Sequence, residues 1–260
     1  MNSLEILKKD LPKILHLLPV FLVVAFVYAS VNISWGVVLP ILFNKTVIQV
    51  SESADASFWF GCFAGIYSLG QLLSYNAVGI LSDHIGRKRV MVVSLFLFAF
   101  SHIVLALSVY SGQFTWILLA RFLSGLFANY INIGQSMIFD YVEENERKRF
   151  LNYYYIFANL PFALVPLFFS LTLYQDMATQ PKWVLITPFV IVAALITLLS
   201  IWISLFYRDR FQRPDQTTNQ LSLHFYRERL RDKQALQQYT INILVFSAMA
   251  IFYTAYPILL

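Results

Sequence analysis

Charged residues and cysteine are what this 260-residue sequence has least of. Only 13% of its residues are charged and 58% are hydrophobic, whereas a typical soluble domain has about 25% charged residues. Water is therefore not its main solvent. The single cysteine, Cys62, excludes an intramolecular disulfide. Zinc-type His and Glu pairs, activated serine or cysteine arrangements and phosphate-binding glycine loops are also missing, so the sequence predicts no enzyme, no cofactor and no metal site.

Long apolar runs are what the sequence has in abundance. Seven of them are long enough to cross a bilayer, which takes about 20 helical residues. They cover residues 14–41, 57–81, 90–111, 114–139, 150–174, 183–206 and 239–260. Because hydrocarbon offers no partner for exposed backbone groups and the alternating pattern of a barrel is absent, we predict an all-α membrane protein. The first run is too long for a secretory signal, so we expect a retained helix that is tilted or ends in the headgroups.

Most of the 19 basic residues lie on one side of these runs. They precede the first run, follow the second and fourth, and crowd the segment after the sixth. The opposite loops hold only Lys45 and Lys182, and Arg121 lies inside the fourth run. By the positive-inside rule, we expect the amino terminus in the cytoplasm. The net charge of +5 thus indicates orientation and gives no reason to expect a nucleic acid partner.

A polar, basic segment divides the chain after the sixth run. We predict a six-helix transmembrane bundle over residues 1–206, a cytoplasmic linker over 207–238 and one further helix over 239–260, which stops at Leu260 without a polar flank. Six runs, a charged linker and a new run are typical of a transporter built from two six-helix halves. On this interpretation most of the C-terminal half is missing, and the chain is a fragment or a natural truncation.

One short loop between the second and third runs combines glycine, a carboxylate and cations. Gly79, Asp83, Gly86, Arg87 and Lys88 stand there at spacings that resemble the signature loop of the major facilitator superfamily of secondary transporters. Asp83 ends one helix and Arg87 begins the next, and both charges oppose the local helix dipole. We therefore expect the two to pair, and the resemblance implies a gating loop that latches one conformation. Gly79 is expected to let two helices approach closely, and Gly86 to adopt a positive φ.

Arg121 is the charged residue inside a run. Inserting it costs about 2.5–3.5 kcal/mol, so it should face protein or water. On a helical wheel, Asn132 and Gln135 lie on the same side of the fourth run. The segment Leu118 to Ala128 resembles the fourth-helix motif of proton-coupled members of the superfamily, which implies that Arg121 contributes to proton movement or substrate contact. Further candidates for the substrate and proton pathway are Asn32, Trp35 and Asn159. The alternative for the amides is interhelical hydrogen bonding, worth about 0.6 kcal/mol per bond.

The resemblance implies the six-helix N-terminal bundle of the major facilitator fold plus a seventh transmembrane helix. It also implies a permease or antiporter that moves a small organic solute by alternating access, coupled to protons, in lipid of a bacterial inner membrane. The acidic residues all fall in loops or at helix ends, so a coupling carboxylate is absent, replaced or in the missing half. Drug-extruding antiporters of the family have a glycine-rich fifth helix, and the fifth run has no glycine. Two alternatives stay open: a seven-helix receptor and a transport-inactive remnant of a transporter.

Overall fold

The protein is described from a computed structural model, which covers residues 3–43, 56–172, 181–209 and 237. These residues form α-helices and no strand. The helices are α1 (Ser3–Phe43), α2 (Ala56–Ile85), α3 (Arg87–Ser111), α4 (Phe114–Phe127), α5 (Tyr130–Tyr141), α6 (Arg147–Thr172) and α7 (Lys182–Phe206). A 3-10 turn, Glu144–Glu146, precedes α6. The predicted all-α class is confirmed.

Four described stretches are long and apolar enough to cross a membrane: Lys9–Ser34, Arg87–Ser111, Phe114–Tyr141 and Lys182–Phe206. They coincide with the first, third, fourth and sixth predicted runs. Helices α2 and α6 occupy the second and fifth. The chain divides into two compact units, Met1–Arg213 and Pro214–Leu260, and all the helices above belong to the first. Almost all of the predicted linker and the whole seventh run lie outside the described residues, so the domain boundaries stay predictions.

The fourth run is two helices, not the single helix that its apolar pattern predicts. Helix α4 ends at Phe127 and α5 begins at Tyr130. The Nδ2 of Asn129 donates a hydrogen bond to the carbonyl oxygen of Leu126 at 2.9 Å. In a continuous helix that oxygen would accept the backbone N–H of residue 130. A side chain that competes with the backbone for an acceptor in this way accompanies the break.

The helix contacts repeat in pairs. The most extensive are those of α3 with α7, α2 with α4, and α1 with α6, followed by α3 with α4 and α1 with α7. The six spans are, in order, α1, α2, α3, α4 with α5, α6 and α7. If the first three spans are exchanged with the last three, the α2–α4 contact becomes the α1–α6 contact. The α3–α4 contact likewise becomes the α1–α7 contact. The α3–α7 contact maps onto itself. This correspondence agrees with nested three-helix repeats within one half of a transporter.

The interior consists of two apolar clusters. One includes buried residues of α1, α3, α5, α6 and α7, such as Leu17, Phe98 and Phe150. The other includes buried residues of α1, α2, α3, α4 and α7, such as Phe63 and Ile117. Four fully buried side chains of α3 and α4 fall between the two clusters in the sequence of those helices; they are Ser101, His102, Arg121 and Ser124. We call these four residues the polar layer, and within it Ser101 Oγ and Ser124 Oγ are 2.8 Å apart.

Candidate functional site

The predicted gating loop lies where α2 ends and α3 begins. We call this end of the bundle, which carries Arg87 and Lys88, the basic end. One residue, Gly86, separates the two helices, and its φ of 101° confirms the expected positive value. Arg87 Nη1 lies 3.2 Å from Asp83 Oδ1, so the predicted pair is present. Arg87 also forms an ion pair with Asp140, near the end of α5. One guanidinium therefore links the ends of α2, α3 and α5.

Lys88 connects the same loop to the end of α7. Its Nζ donates a hydrogen bond to the carbonyl oxygen of Tyr207 at 2.7 Å, and its backbone N–H donates to Asp209 Oδ2 at 3.0 Å. Glycine at position 86 has no side chain to accept the first N–H groups of α3, and Asp209 supplies a carboxylate at this positive helix end. Sequence reasoning missed Asp209 because 121 residues separate it from Lys88.

A second group of charges joins α1 to the start of α6. Asp10 is fully buried and accepts a hydrogen bond from Arg149 Nη2 at 2.7 Å, while Lys13 Nζ donates to Glu146 Oε2 at 2.5 Å. The hydrogen bond from Lys13 lowers the pKa of Glu146, and burial opposes that shift. These residues were not among the predicted candidates, because the sequence shows them only as a solvated charge run.

Gly79 makes no close helix contact within the part of the chain that the structure describes, so its expected packing role stays a prediction. Among the described residues, nothing lies within 4 Å of a Cβ built at Gly79. The close approach occurs instead between α2 and α4, where a Cβ on Gly70 would lie 2.8 Å from Leu126 N and one on Gly125 would lie 2.9 Å from Tyr67 C. Backbone atoms cannot turn aside as a flexible side chain can, so these two glycines set the distance between the helices.

Arg121 is fully buried in the polar layer. Its guanidinium carbon lies 4.2 Å from the ring centre of Tyr67 and 4.9 Å from that of Phe63, within the range of a cation–π contact. None of its three guanidinium nitrogens has a hydrogen-bond partner among the described residues. The sequence-based search missed Phe63 as a partner, although two aromatic residues four apart on one helix face were a usable signal.

The predicted polar face of the fourth run is divided by the break before α5. Arg121 in α4 is buried behind aromatic rings, whereas Asn132 and Gln135 in α5 are partly exposed. The two amides are bound by tyrosines of the neighbouring helices. Tyr75 in α2 donates to Asn132 Oδ1 at 2.5 Å, and Gln135 Nε2 donates to the hydroxyl of Tyr155 in α6 at 3.0 Å. We call Tyr75, Asn132, Gln135 and Tyr155 the tyrosine–amide row.

The other pathway candidates lie on different helices. Asn32 Nδ2 donates to the carbonyl oxygen of Tyr28 in its own helix at 2.8 Å, and Asn159 Nδ2 donates to that of Tyr155 at 2.7 Å. Trp35 is part of α1, and its side chain lies outside the described atoms. The structure thus brings Asn132 and Gln135 into one row and leaves Asn32 bonded within α1. The described ranges contain no group of three or more His, Cys, Asp or Glu side chains placed to hold a metal ion.

Comparison with known proteins gives a family and a fold. A family model described as the Major Facilitator Superfamily matches residues 20–260. A crystal structure of a bacterial homologue of the human lysosomal transporter Spinster, inward-facing and occupied, is 18% identical, with a TM-score of 0.60 over 78% of this chain and 45% of that one. The inward-facing, unoccupied structure is 16% identical, with a TM-score of 0.59 over 83% of this chain and 48% of that one.

These comparisons bear on the fold and on length. At 18% and 16% identity, the similarity of this chain to those two structures supports the same helical fold. The chain spans less than half the length of either structure. No curated protein sequence gave a match.

Proposed function

Because the chain belongs to the Major Facilitator Superfamily, we propose that it acts as a secondary active transporter that moves a small organic solute by alternating access. It is an integral, multi-pass membrane protein of a transporter family. We place its basic end in the cytoplasm, because the positive-inside rule puts basic residues there. A bacterial inner membrane, as predicted from the sequence, remains part of the proposal. The chain would act together with a second six-helix half.

The observation that carries this proposal is the position of Arg87 between Asp83 and Asp140. The three charges are partly exposed and join three helix ends. An ion pair at such a position contributes about 0.2–1 kcal/mol, which is enough to bias two conformations and small enough to be broken in each cycle. Breaking it would release α5 from the turn between α2 and α3 at the basic end. This is the behaviour expected of a latch.

Proton coupling is the second part of the proposal, and it concerns Arg121. The cation has no carboxylate beside it among the described residues, and the apolar runs carry no acidic residue well inside them. A buried charge without a counter-ion is costly, so any movement that brings an anion or water to Arg121 is favoured. We propose that proton uptake is coupled to a helix movement of this kind at Arg121.

The test is the accessibility of the face beside the tyrosine–amide row in the full-length protein in lipid vesicles. Every native cysteine, Cys62 included, is replaced by serine, and a reporter cysteine is introduced by Ser136→Cys, since Ser136 is partly exposed on α5. The control is Leu198→Cys on the exposed apolar surface of α7. A membrane-impermeant maleimide should modify the Ser136→Cys protein from each side of the membrane and leave the Leu198→Cys protein unmodified.

Breaking the latch should change the balance between the two sides. We expect Asp83→Asn to change the ratio of the two labelling rates by about 1.4- to fivefold, the factor that corresponds to one exposed ion pair. If the reporter cysteine is as unreactive as the one at position 198 from both sides, alternating access in this half is refuted.

A further inference from the structure

The tyrosine–amide row is an unusual surface for a membrane bundle. Tyr75 is 52% exposed and Tyr155 is 46% exposed, and both lie in runs that the sequence predicts to cross the bilayer. Their hydroxyls and the two amides form hydrogen bonds at the surface of the bundle, not in its interior. Polar groups in contact with hydrocarbon are costly and usually face a water-filled cavity or another helix. This face therefore meets water, a ligand or another helix, not lipid chains.

The amides of the row keep one donor and one acceptor for a ligand. Tyr75 uses the Oδ1 of Asn132, and Tyr155 uses the Nε2 of Gln135. Within the described ranges, Asn132 Nδ2 and Gln135 Oε1 have no hydrogen-bond partner. The two residues are three positions apart on α5, which corresponds to about 4.5 Å along the helix. A ligand with an acceptor and a donor at a similar separation would satisfy both.

An unsatisfied group lies one helical turn before the row. Asn129 is 2% exposed, and its Nδ2 donates to Ser74 Oγ at 2.8 Å. Its Oδ1 is buried and has no hydrogen-bond partner among the described residues. A buried amide oxygen without a partner costs about 1–3 kcal/mol, so a donor from a ligand or its water would be favoured there. This acceptor is independent of the two bonds that define the row.

The row also lacks charge. Its four side chains are neutral, the next charged residue along α5 is Asp140, and Arg87 neutralises that carboxylate. Arg121 is separated from solvent by burial and by contact with Phe63 and Tyr67. We infer that the tyrosine–amide row is a binding site for an uncharged organic ligand that carries an amide or hydroxyl group on an apolar body. This inference rests on the proposed function. It assigns Asn132 and Gln135 as the residues that bind the ligand, and Tyr75 and Tyr155 as the residues that position the two amides.

The experiment uses the cysteine reporter at position 136 in the full-length protein and a matched pair of probes. 4-Hydroxyacetanilide is uncharged and carries one amide and one hydroxyl on an aromatic ring. 4-Acetamidobenzoate is its anionic counterpart, with a carboxylate in place of the hydroxyl. The neutral probe, at millimolar concentration, should slow maleimide labelling at position 136 by about threefold or more, and the anion should not. Tyr75→Phe and Tyr155→Phe keep the rings and remove the hydroxyls.

Each phenylalanine variant should raise the concentration of neutral probe needed for half protection by about three- to tenfold, the effect of one lost hydrogen bond. Tyr110→Phe, at an exposed position at the far end of α3, is the matched control and should change nothing. Protection by the anion alone, no protection by the neutral probe, or equal behaviour of all three phenylalanine variants would overturn the inference. A reporter that does not react at all would instead refute the proposed function.

Discussion

Adding one methyl group at Gly125 should test whether α2 and α4 are held at their distance by backbone contact. In the native protein the Cβ of Gly125→Ala would lie 2.9 Å from Tyr67 C and 3.1 Å from Tyr67 Cα. Both neighbours are backbone atoms, so a side-chain rotation cannot relieve the overlap. Helix α2 must move away from α4, and the rings of Phe63 and Tyr67 must move with it. Their contacts with Arg121 should weaken as a result.

The size of the effect follows from two opposing contributions. Overpacking of this kind costs about 1–3 kcal/mol, while alanine is better than glycine inside a helix by about 0.5–1 kcal/mol. The matched control is Gly65→Ala on α2, where nothing lies within 4 Å of the added Cβ and only the helix gain applies. The two variants should therefore differ by about 1–3 kcal/mol, which corresponds to about 2–12 °C in melting temperature for a domain of this size.

The assay is heating of the purified protein in detergent followed by size-exclusion chromatography of the surviving fraction. Gly125→Ala should melt below the native protein and Gly65→Ala at or above it. Equal melting temperatures for the two variants would refute the reasoning, because α2 and α4 would then have enough space between them for the added methyl group.

Three further outcomes are expected. The hydrogen bond from Lys13 lowers the pKa of Glu146 from its ordinary 4.5. It therefore stabilises the fold above about pH 4.5, and this contribution is lost as the pH falls through the lowered pKa. Glu146→Gln should flatten the acid end of the curve of melting temperature against pH. Arg121→Met removes a charge that costs about 2.5–3.5 kcal/mol and cation–π contacts worth about 2 kcal/mol, so the free energy of unfolding should rise by only about 0.5–1.5 kcal/mol. If protons are coupled through Arg121, labelling at position 136 should depend on pH in the native protein and not in this variant. Asp209→Asn removes the charge at the start of α3, at a cost of about 0.5–1 kcal/mol, and should speed hydrogen exchange at the Lys88 amide.

Each of these outcomes has a control and a contrary result. Glu143→Gln, at an exposed neighbouring acid, should leave the acid end of the curve unchanged; if it matches Glu146→Gln, the Lys13 contact is not responsible. A loss of the fold in Arg121→Met would make that arginine a structural residue and remove it from proton coupling. Unchanged exchange at Lys88 in Asp209→Asn would show that the carboxylate does not hold the start of α3.

Local features of the sequence predicted the helices and the gating loop well. The first six apolar runs all coincide with helices, and four of the described stretches are long and apolar enough to cross a membrane, since burial in lipid needs only length and composition. The Asp83–Arg87 pair was predictable because its members are four residues apart, and Gly86 because one residue reverses the chain. Long-range partners were not predictable. Asp140 and Asp209 pair with the loop only after α5 and α7 have packed beside it.

The errors have a common cause. A glycine in a run indicates a possible close approach but not the helix that comes close. The sequence singled out Gly79, whereas among the described residues Gly70 and Gly125 make the contact. A helical wheel assumes an unbroken helix, and the break before Tyr130 separates Arg121 from the amides of α5. Both depend on neighbours that lie far away in the chain.

The polar layer has a consequence for how the two ends of the molecule tolerate mutation. Along α3 and α4, the polar layer interrupts the aliphatic packing between the two clusters, while Ile33 of α1 packs against both. A substitution in α3 or α4 that changes side-chain volume in one cluster should therefore disturb the other cluster less than it would across a continuous apolar core.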